Sequence, residues 1–264
     1  MLILLSPAKT LDMESPGRVA EPSLPGFMDE SSKLVTSLRQ YRKGKLGDLM
    51  KISEPLAKLN VERFQAWKPP FDNDNARPAI QAFRGDVYTG LDADTLKTRD
   101  LEFAQKHLRI LSGLYGVLKP LDLIQAYRLE MGTSLKTRRG KNLYDFWGER
   151  ITQSLNHELG GMKNPAVVNL ASNEYFKSVK PKQLAAPLIT PVFKDEKNGE
   201  YKIISFFAKK ARGAMARHLI LSRANDTAAI EEFDGLGYRL DPRESSEEQL
   251  VFRRSEKAAQ PYLA

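Results

Sequence analysis

The chain has no cysteine among its 264 residues. This absence excludes disulfide bonds, thiolate catalysis, cysteine-bound zinc and cysteine-bound iron–sulfur clusters. Histidine is nearly as scarce, and the three present, His107, His157 and His218, are too far apart to match the short spacings of metal ligands. We therefore expect no metal site, no cofactor and no disulfide-linked partner.

Long apolar runs and familiar catalytic motifs are also missing. No run reaches the ~18 to 20 residues of a membrane helix, and the apolar residues 1–5 are too few, and lack the basic lead, for a signal peptide. We expect a cytoplasmic protein without a membrane partner. The sequence contains no P-loop, no GxGxxG and no Gly-x-Ser-x-Gly. Four carboxylates stand in motif-like surroundings without any pattern that pairs them: Asp86, Glu130, Asp145 and Glu174.

Positive charge is present in excess and is unevenly distributed. Residues 177–217 hold ten Lys and Arg against three acids, an excess of seven out of a net charge of +8. The rest of the chain is almost neutral. A concentrated basic region favours a polyanionic partner such as nucleic acid, although a charge run is also typical of a solvated surface.

The pattern within this region predicts where the charges lie. Residues 201–207 are mostly apolar and predict a largely buried strand that ends directly at three cations, Lys209, Lys210 and Arg212. A helix is predicted over residues 214–221. The three cations would then sit together at the end of a core strand, which suits contacts with phosphates.

The fold class predicted from the whole pattern is α+β, or mixed α/β. Buried strands are indicated at residues 2–5 and 166–170, and a hairpin joins residues 188–194 to 200–207 across Asn198 and Gly199, which tolerate the backbone angles of a tight turn. Strands at residues 238–240 and 249–253 close the sheet. No linker or repeat divides the chain, so we expect one domain over residues 1–264, with a mixed or antiparallel sheet flanked by helices.

A glycine pair follows the helix predicted to end near Leu111. Gly113 and Gly116 lie between that helix and a second short helix predicted near Pro120, with Arg109 and Lys119 on the flanks. Two glycines between helices free backbone N–H groups for a phosphate. The segment resembles a helix-hairpin-helix, but it has two residues between its glycines where that motif has one. A simple turn is the alternative.

Two lysines follow predicted strand ends. Lys9 comes after the first strand, and Lys177 comes after the polar turn that ends the strand at residues 166–170. Ligand sites of open sheets lie at such ends. A basic pocket at these strand ends leaves a second hypothesis open. The protein would then be an enzyme that acts on a phosphorylated or nucleotide-like small molecule through Lys9, Glu174 or Lys209.

Several longer strings resemble the YaaA family of peroxide-stress-response proteins. They are SPAKTL at residues 6–11, FRGDVYTGL at 83–91, residues 111–132, NLASNEYFK at 169–177 and AKKARG at 208–213. The resemblance runs nearly from end to end. It implies a single domain of the cantaloupe fold, a positively charged cleft, a helix-hairpin-helix element and binding to duplex or branched DNA. It also implies a role in surviving hydrogen peroxide, with restraint of free iron and recombinational repair.

Placed on this chain, the resemblance puts the hairpin at residues 111–124. Charge and motif position add a cleft formed by Lys9, Lys177, Lys180, Lys209, Lys210 and Arg212. We therefore expect a non-enzymatic protein that binds the DNA backbone without reading its sequence, with no catalytic residues. No histidine and carboxylate cluster has the spacing of an iron site, so protection of DNA fits the residues better than iron chelation does.

Overall fold

A computed structural model describes residues 1–15 and 21–262 of the chain. Its strands are β1 Leu2–Leu5, β2 Thr10–Leu11, β3 Arg77–Pro78, β4 Phe83–Arg84, β5 Leu108–Ser112, β6 Gly116–Leu118, β7 Leu123–Ile124, β8 Val167–Asn169, β9 Leu188–Lys197, β10 Glu200–Lys202, β11 Arg239–Leu240 and β12 Gln249–Arg254. Its α-helices are α1 Met28–Leu38, α2 Lys43–Met50, α3 Glu54–Ala66, α4 Ala79–Ala82, α5 Asp86–Leu91, α6 Thr98–His107, α7 Leu143–Trp147, α8 Arg150–Leu159, α9 Asn173–Phe176, α10 Ser205–Leu221, α11 Ala228–Glu231 and α12 Glu256–Ala259. Short 3₁₀ turns cover Ala93–Thr95, Pro181–Gln183, Gly235–Gly237 and Gln260–Tyr262.

The central sheet is mixed and mostly parallel. Its strand order is β11-β12-β9-β8-β1-β5-β6, with β10 paired to β9. The pairs β12–β9, β9–β8, β8–β1 and β1–β5 are parallel, whereas the antiparallel pairs involve β6, β10 and β11. The predicted mixed sheet is confirmed and the antiparallel alternative is wrong. The named fold implied by the family resemblance stays a prediction.

The central strands are buried because both faces of the sheet are covered. All four residues of β1 and all three of β8 are buried, as the continuous apolar runs of a parallel strand predict. Helix α10 packs against α5, α6 and β9. Large side chains such as Trp147, Tyr115 and Phe64 complete the core. A rigid sheet therefore holds the loops that follow β1 and β8.

Within the described part of the chain, no helix combines the length and the apolar character needed to cross a membrane.

Short strands and the turns between them make up residues 111–124, so the predicted helix-hairpin-helix is wrong at this place. The helix before it ends at His107, and β5 and β6 then pair as a β-hairpin. Gly116 has φ +71°, and a Cβ there would lie 2.7 Å from the Trp147 ring. A Cβ on Gly113 would lie 2.2 Å from the Leu129 carbonyl oxygen. The glycines therefore allow close packing inside the core and do not present N–H groups to a ligand.

The predicted strand over residues 201–207 is confirmed as far as Lys202 and is wrong beyond it. β10 ends at Lys202, and α10 begins at Ser205, well before the predicted helix start. Ile203 and Phe206, expected in the core, are 57% and 54% exposed. The turn itself is confirmed, with Asn198 and Gly199 at φ 57° and 80°. The three cations of this segment consequently lie on the first turns of a long helix.

Candidate functional site: a cavity at the switch point of the sheet

The centre of the sheet contains a topological switch point. From β1 the sheet continues to β5 on one side, and from β8 it continues to β9 on the other side. The chain therefore leaves the carboxyl ends of β1 and β8 in opposite directions, and such a crevice is where open α/β sheets bind ligands. Hydrogen bonds join the two loops: the Ser172 N–H donates to Ser6 Oγ at 2.8 Å, and Ser6 Oγ donates to Ser172 Oγ at 3.3 Å.

A cavity of about 770 Å³ opens at this crevice. Its walls are the loop after β1, the loop after β8 with the start of α9, the start of α5 and the first turns of α10. This volume lies within the roughly 300 to 1,000 Å³ of small-molecule sites. Tyr88, on α5, donates its hydroxyl hydrogen to the Ser6 carbonyl oxygen at 3.1 Å and ties that wall to the sheet.

Helix α10 presents one face to the cavity. Ser205, Ala208, Lys209 and Arg212 line it, and their spacing of three, four and seven residues places them on one side of a helix. Lys210 does not line the cavity, because its helical position turns it toward α5. Its carbonyl oxygen would lie 2.0 Å from a Cβ on Gly90. Helical spacing thus selects two of the three cations that the sequence predicted together.

Three of the cavity's four cations already have acidic partners. Lys9 Nζ lies 3.0 Å from Glu130 Oε2, and Lys209 Nζ lies 3.5 Å from Asp86 Oδ2. Arg84 pairs with Asp12 and Asp94 at 3.1 and 3.3 Å. Lys9 and Lys209 keep 62% and 50% of their side chains exposed, so solvent screens these pairs and little free energy opposes their opening.

Arg212 differs from the other three cations. Its side chain is partly buried, and burial lowers the pKa of its guanidinium. Within the described residues, no carboxylate lies within ion-pair distance of it. A guanidinium remains charged even so. A partly desolvated cation without a counter-ion is an anion site, since an arriving phosphate or carboxylate gains charge-assisted hydrogen bonds there.

The remaining polar groups of the cavity act as acceptors and donors. Glu174 Oε1 accepts a hydrogen bond from the Gly132 N–H at 2.9 Å, which fixes its carboxylate at the cavity wall. Burial raises the pKa of Tyr175 well above its usual range, so its hydroxyl stays protonated. Within residues 1–15 and 21–262, no three histidine, aspartate or glutamate side chains come together as metal ligands would.

A family model described as Peroxide stress protein YaaA matches residues 1–244 of this chain. The chain belongs to this family. It is 55% identical over 257 residues to a UPF0246 protein of Idiomarina loihiensis, which covers 97% of this chain and 100% of that protein. A UPF0246 protein of Aliivibrio fischeri is 54% identical with coverage of 97% and 99%, and one of a Marinomonas strain is 55% identical with coverage of 98% for each. The match agrees with a role in oxidative stress.

In this YaaA-family chain, some predicted site residues meet at the cavity and others do not. Lys9, Lys209 and Arg212 line it together. Lys177 is exposed just beyond α9, with its Nζ 5.0 Å from the centre of the Tyr144 ring, and Lys180 donates its backbone N–H to Thr152 Oγ1. These two lysines are close to the cavity in sequence but are not part of its lining.

Arg109 and Lys119 lie at the opposite end of the parallel strands. They border a separate cavity beside Met1, which precedes β1. The Arg109 side chain is only 3% exposed and forms an ion pair with Glu158, so it is not available to a ligand at the surface. Gly113 and Gly116 are buried. The predicted set therefore divides between two ends of the parallel strands.

Sequence reasoning missed how the cavity's acidic groups combine. Asp86, Glu130 and Glu174 were isolated carboxylates in the sequence, yet all three line the cavity. Arg84 was not singled out at all. The available signal was that Arg84, Asp86 and Glu174 lie inside the strings that resemble the family.

Proposed function

We propose that this chain acts in the peroxide stress response by binding phosphate groups of nucleotides at the switch-point cavity. The observation that carries the proposal is Arg212, a partly buried cation without an acidic partner among the described residues, on the cavity wall. Lys9 and Lys209 lie on the same walls. Glu130 and Asp86 form ion pairs with these lysines, and an arriving phosphate replaces the carboxylates as their partner.

DNA is the first source of such phosphates that we consider. The basic excess of residues 177–217 favours it, and Lys177, Lys182 and Lys202 are exposed there. Contacts would be to the backbone and so would not depend on base sequence. A protein bound along DNA would protect it from peroxide damage, so a role in peroxide survival would not require an iron site. The β5–β6 hairpin and Arg109 are not part of this proposal.

A phosphorylated or nucleotide-like small molecule is the second source, and one observation favours it. Lys9 stands 3.0 Å from Glu130 in a cavity whose volume suits a single small ligand. A lysine paired with a carboxylate beside a phosphate site is an arrangement that supports acid–base chemistry. Glu174 is the other carboxylate fixed at the wall.

The test is a binding series with Arg212→Gln and a matched control. Linear, bubbled and branched DNA are titrated by fluorescence anisotropy from 50 to 200 mM salt, with ATP and pyrophosphate as competitors. Arg239→Gln is the control, because it removes the same charge from the exposed edge strand β11, where the side chain is 68% exposed. We expect Arg212→Gln to weaken binding by about 10-fold or more, since hydrogen bonds to a charged group contribute ~1.5 to 3 kcal/mol.

The salt series separates the two sources. If three cavity cations neutralise DNA phosphates, affinity falls by about 40-fold between 50 and 200 mM salt. Competition by ATP or pyrophosphate with little binding of DNA assigns the site to a small molecule instead. Absence of saturable binding to any probe, or equal binding by the two arginine variants, would contradict the proposal. Thermal melts of both variants check that each remains folded.

A further inference from the structure

An exposed apolar corner lies at the mouth of the switch-point cavity. Ile203 lines the cavity and is 57% exposed, and Phe206, which follows the lining residue Ser205 in α10 but is not itself part of the lining, is 54% exposed. Among residues 1–15 and 21–262, Phe206 is the one phenylalanine or tryptophan with more than half of its side chain exposed. Exposed aromatic rings beside a cation are typical of sites that bind a partly apolar, partly anionic ligand.

The Phe206 ring is carried on a rigid support. It contacts the Phe207 ring edge-on, with centroids 5.5 Å apart, and the Arg254 guanidinium lies 4.8 Å from the centre of the Phe207 ring. Arg254 is buried and donates from Nε to Asp195 Oδ1 at 2.7 Å. The support thus connects to β9 and β12, so the exposed ring does not belong to a loose loop.

The spacing along α10 places an apolar surface and an anion site within reach of one ligand. Phe206 and Arg212 are six residues apart, which at 3.6 residues per turn and 1.5 Å per residue is about 9 Å along the helix axis and about 120° around it. Lys209 lies between them on the cavity side. A nucleotide has the same succession of groups, with a flat aromatic base at one end and a phosphate at the other.

We infer that Ile203 and Phe206 form a platform for an unpaired nucleobase, and that the cavity binds a nucleotide whose base is not in a duplex stack. The inference deepens the proposed function and rests on it, because the phosphate of that nucleotide is the one held by Arg212. A base within a duplex has both faces covered, whereas a free nucleotide or an extrahelical base offers a face to Phe206. Stacking on a ring accepts every base, so no base preference follows.

The test compares ligands with and without a base. Binding of AMP and of ribose 5-phosphate is measured by calorimetry for the wild-type chain, Phe206→Ala, Phe206→Trp and Leu221→Ala. Leu221 is the matched control, since it is a large exposed side chain at the far end of the same helix, 44% exposed. We expect the wild-type chain to prefer AMP by roughly 5- to 150-fold, the effect of one base–aromatic stack.

Each variant has a distinct expected result. Phe206→Ala brings the two affinities close together by weakening AMP alone, Phe206→Trp keeps the preference, and Leu221→Ala changes neither affinity. Duplexes with one bulged base or one abasic bulge repeat the comparison for DNA. Equal affinities in the wild-type chain, or a preference that survives Phe206→Ala, overturn the inference.

Failure of this inference is distinguishable from failure of the proposed function. If ribose 5-phosphate binds as tightly as AMP and Arg212→Gln weakens both, the phosphate site stands and only the base platform is wrong. If AMP, ribose 5-phosphate and DNA all fail to bind, the proposed function falls and the platform with it. A dimer that disappears in Phe206→Ala, with an unchanged preference for AMP, would assign the corner to a second copy of the chain and overturn the inference.

Discussion

At the scale of single residues, Asp122 is a carboxyl group that folding removes from water. It is 2% exposed, and it accepts hydrogen bonds from Ser23 Oγ at 2.6 Å and from the Lys119 N–H at 2.8 Å. Burial is the largest effect on it and raises its pKa from 3.8 to about 6. The folded protein therefore binds this proton more tightly than the unfolded chain does.

The sign of the pH dependence follows from that difference. The contribution of a raised carboxyl pKa to stability is fully present below the unfolded value of 3.8 and is lost as the pH rises through about 6. We predict that the free energy of unfolding of the wild-type chain relative to Asp122→Asn falls by about 2 kcal/mol between pH 4.5 and 7.5. Urea denaturation at several pH values measures it, and a difference that is flat with pH would contradict the prediction.

Burial explains why the structure brings one set of predicted site residues to the cavity and leaves another inside the core. Gly113 and Gly116 have the composition of a phosphate-binding turn, but the buried rings and carbonyl groups around them leave no room for a ligand. Lys9 has no distinctive neighbours in the sequence, yet it lines the cavity because it lies in the loop that follows the buried strand β1. Burial, which one sequence does not show, separates the two cases.

At the scale of elements, the crossing of α5 and α10 sets the shape of the cavity. The helices approach so closely that a Cβ on Gly213 would lie 1.8 Å from the Val87 carbonyl oxygen, and one on Gly90 would lie 2.0 Å from the Lys210 carbonyl oxygen. Both contacts are with backbone atoms, which cannot rotate away. Since α5 carries Asp86 and α10 carries Arg212, the glycines also fix the distance between two walls of the cavity.

We predict that Gly213→Ala destabilises the protein by about 1 to 3 kcal/mol or more, because the added methyl group forces the helices apart. Binding of phosphate ligands should weaken as well, since the cavity walls move. Gly44→Ala in α2 is the control, because nothing lies within 4 Å of its Cβ position. That substitution should be neutral or stabilise by up to about 1 kcal/mol.

Urea denaturation and ligand titration of the two glycine variants test the role of this crossing. Equal stability of Gly213→Ala and Gly44→Ala would show that α5 and α10 are not in close contact. A Gly213→Ala variant that is less stable but binds ligand as tightly as the wild-type chain would show that the crossing does not shape the cavity.

Elements were predicted well where the apolar pattern was continuous and poorly where helix and strand patterns overlap. β1, β8 and β12 follow their apolar runs. The segment at residues 201–207 has an equally apolar pattern, but it starts α10, and tertiary contact of that helix with α5 overrides the strand preference of its aromatic residues.

At the scale of the whole molecule, one core extends across the sheet. Trp147 covers the β5–β6 hairpin through its contact with Gly116, whereas Phe252 of the same core lies in β12 near the other end of the strand order and is fully buried. The strands between them form a continuous hydrogen-bonded series. If these strands unfold together, a destabilising substitution at one end of the sheet should lower the unfolding midpoint measured at the other end.

We predict a single cooperative unfolding transition for the chain. Phe252→Ala should lower the midpoint measured by tryptophan fluorescence, which reports Trp67 and Trp147, by the same amount as the midpoint measured by far-UV circular dichroism. Coincident thermal curves from the two probes would support one domain over residues 1–264. A fluorescence midpoint that does not change, or two separate transitions, would indicate that the β12 end unfolds independently.

The sequence by itself determined the mixed α/β class, the buried central strands, the hairpin turn at Asn198 and Gly199, the family resemblance and the position of the basic excess, because each depends on local composition or pattern. Tertiary structure decided which charges meet. Parallel pairing of β1 with β8 and helical spacing on α10 brought Lys9, Lys209 and Arg212 to one cavity and left Arg109 and Lys119 at the opposite end of the parallel strands. Such long-range placement depends on the order of the strands in the sheet, which cannot be predicted from any local segment of the sequence.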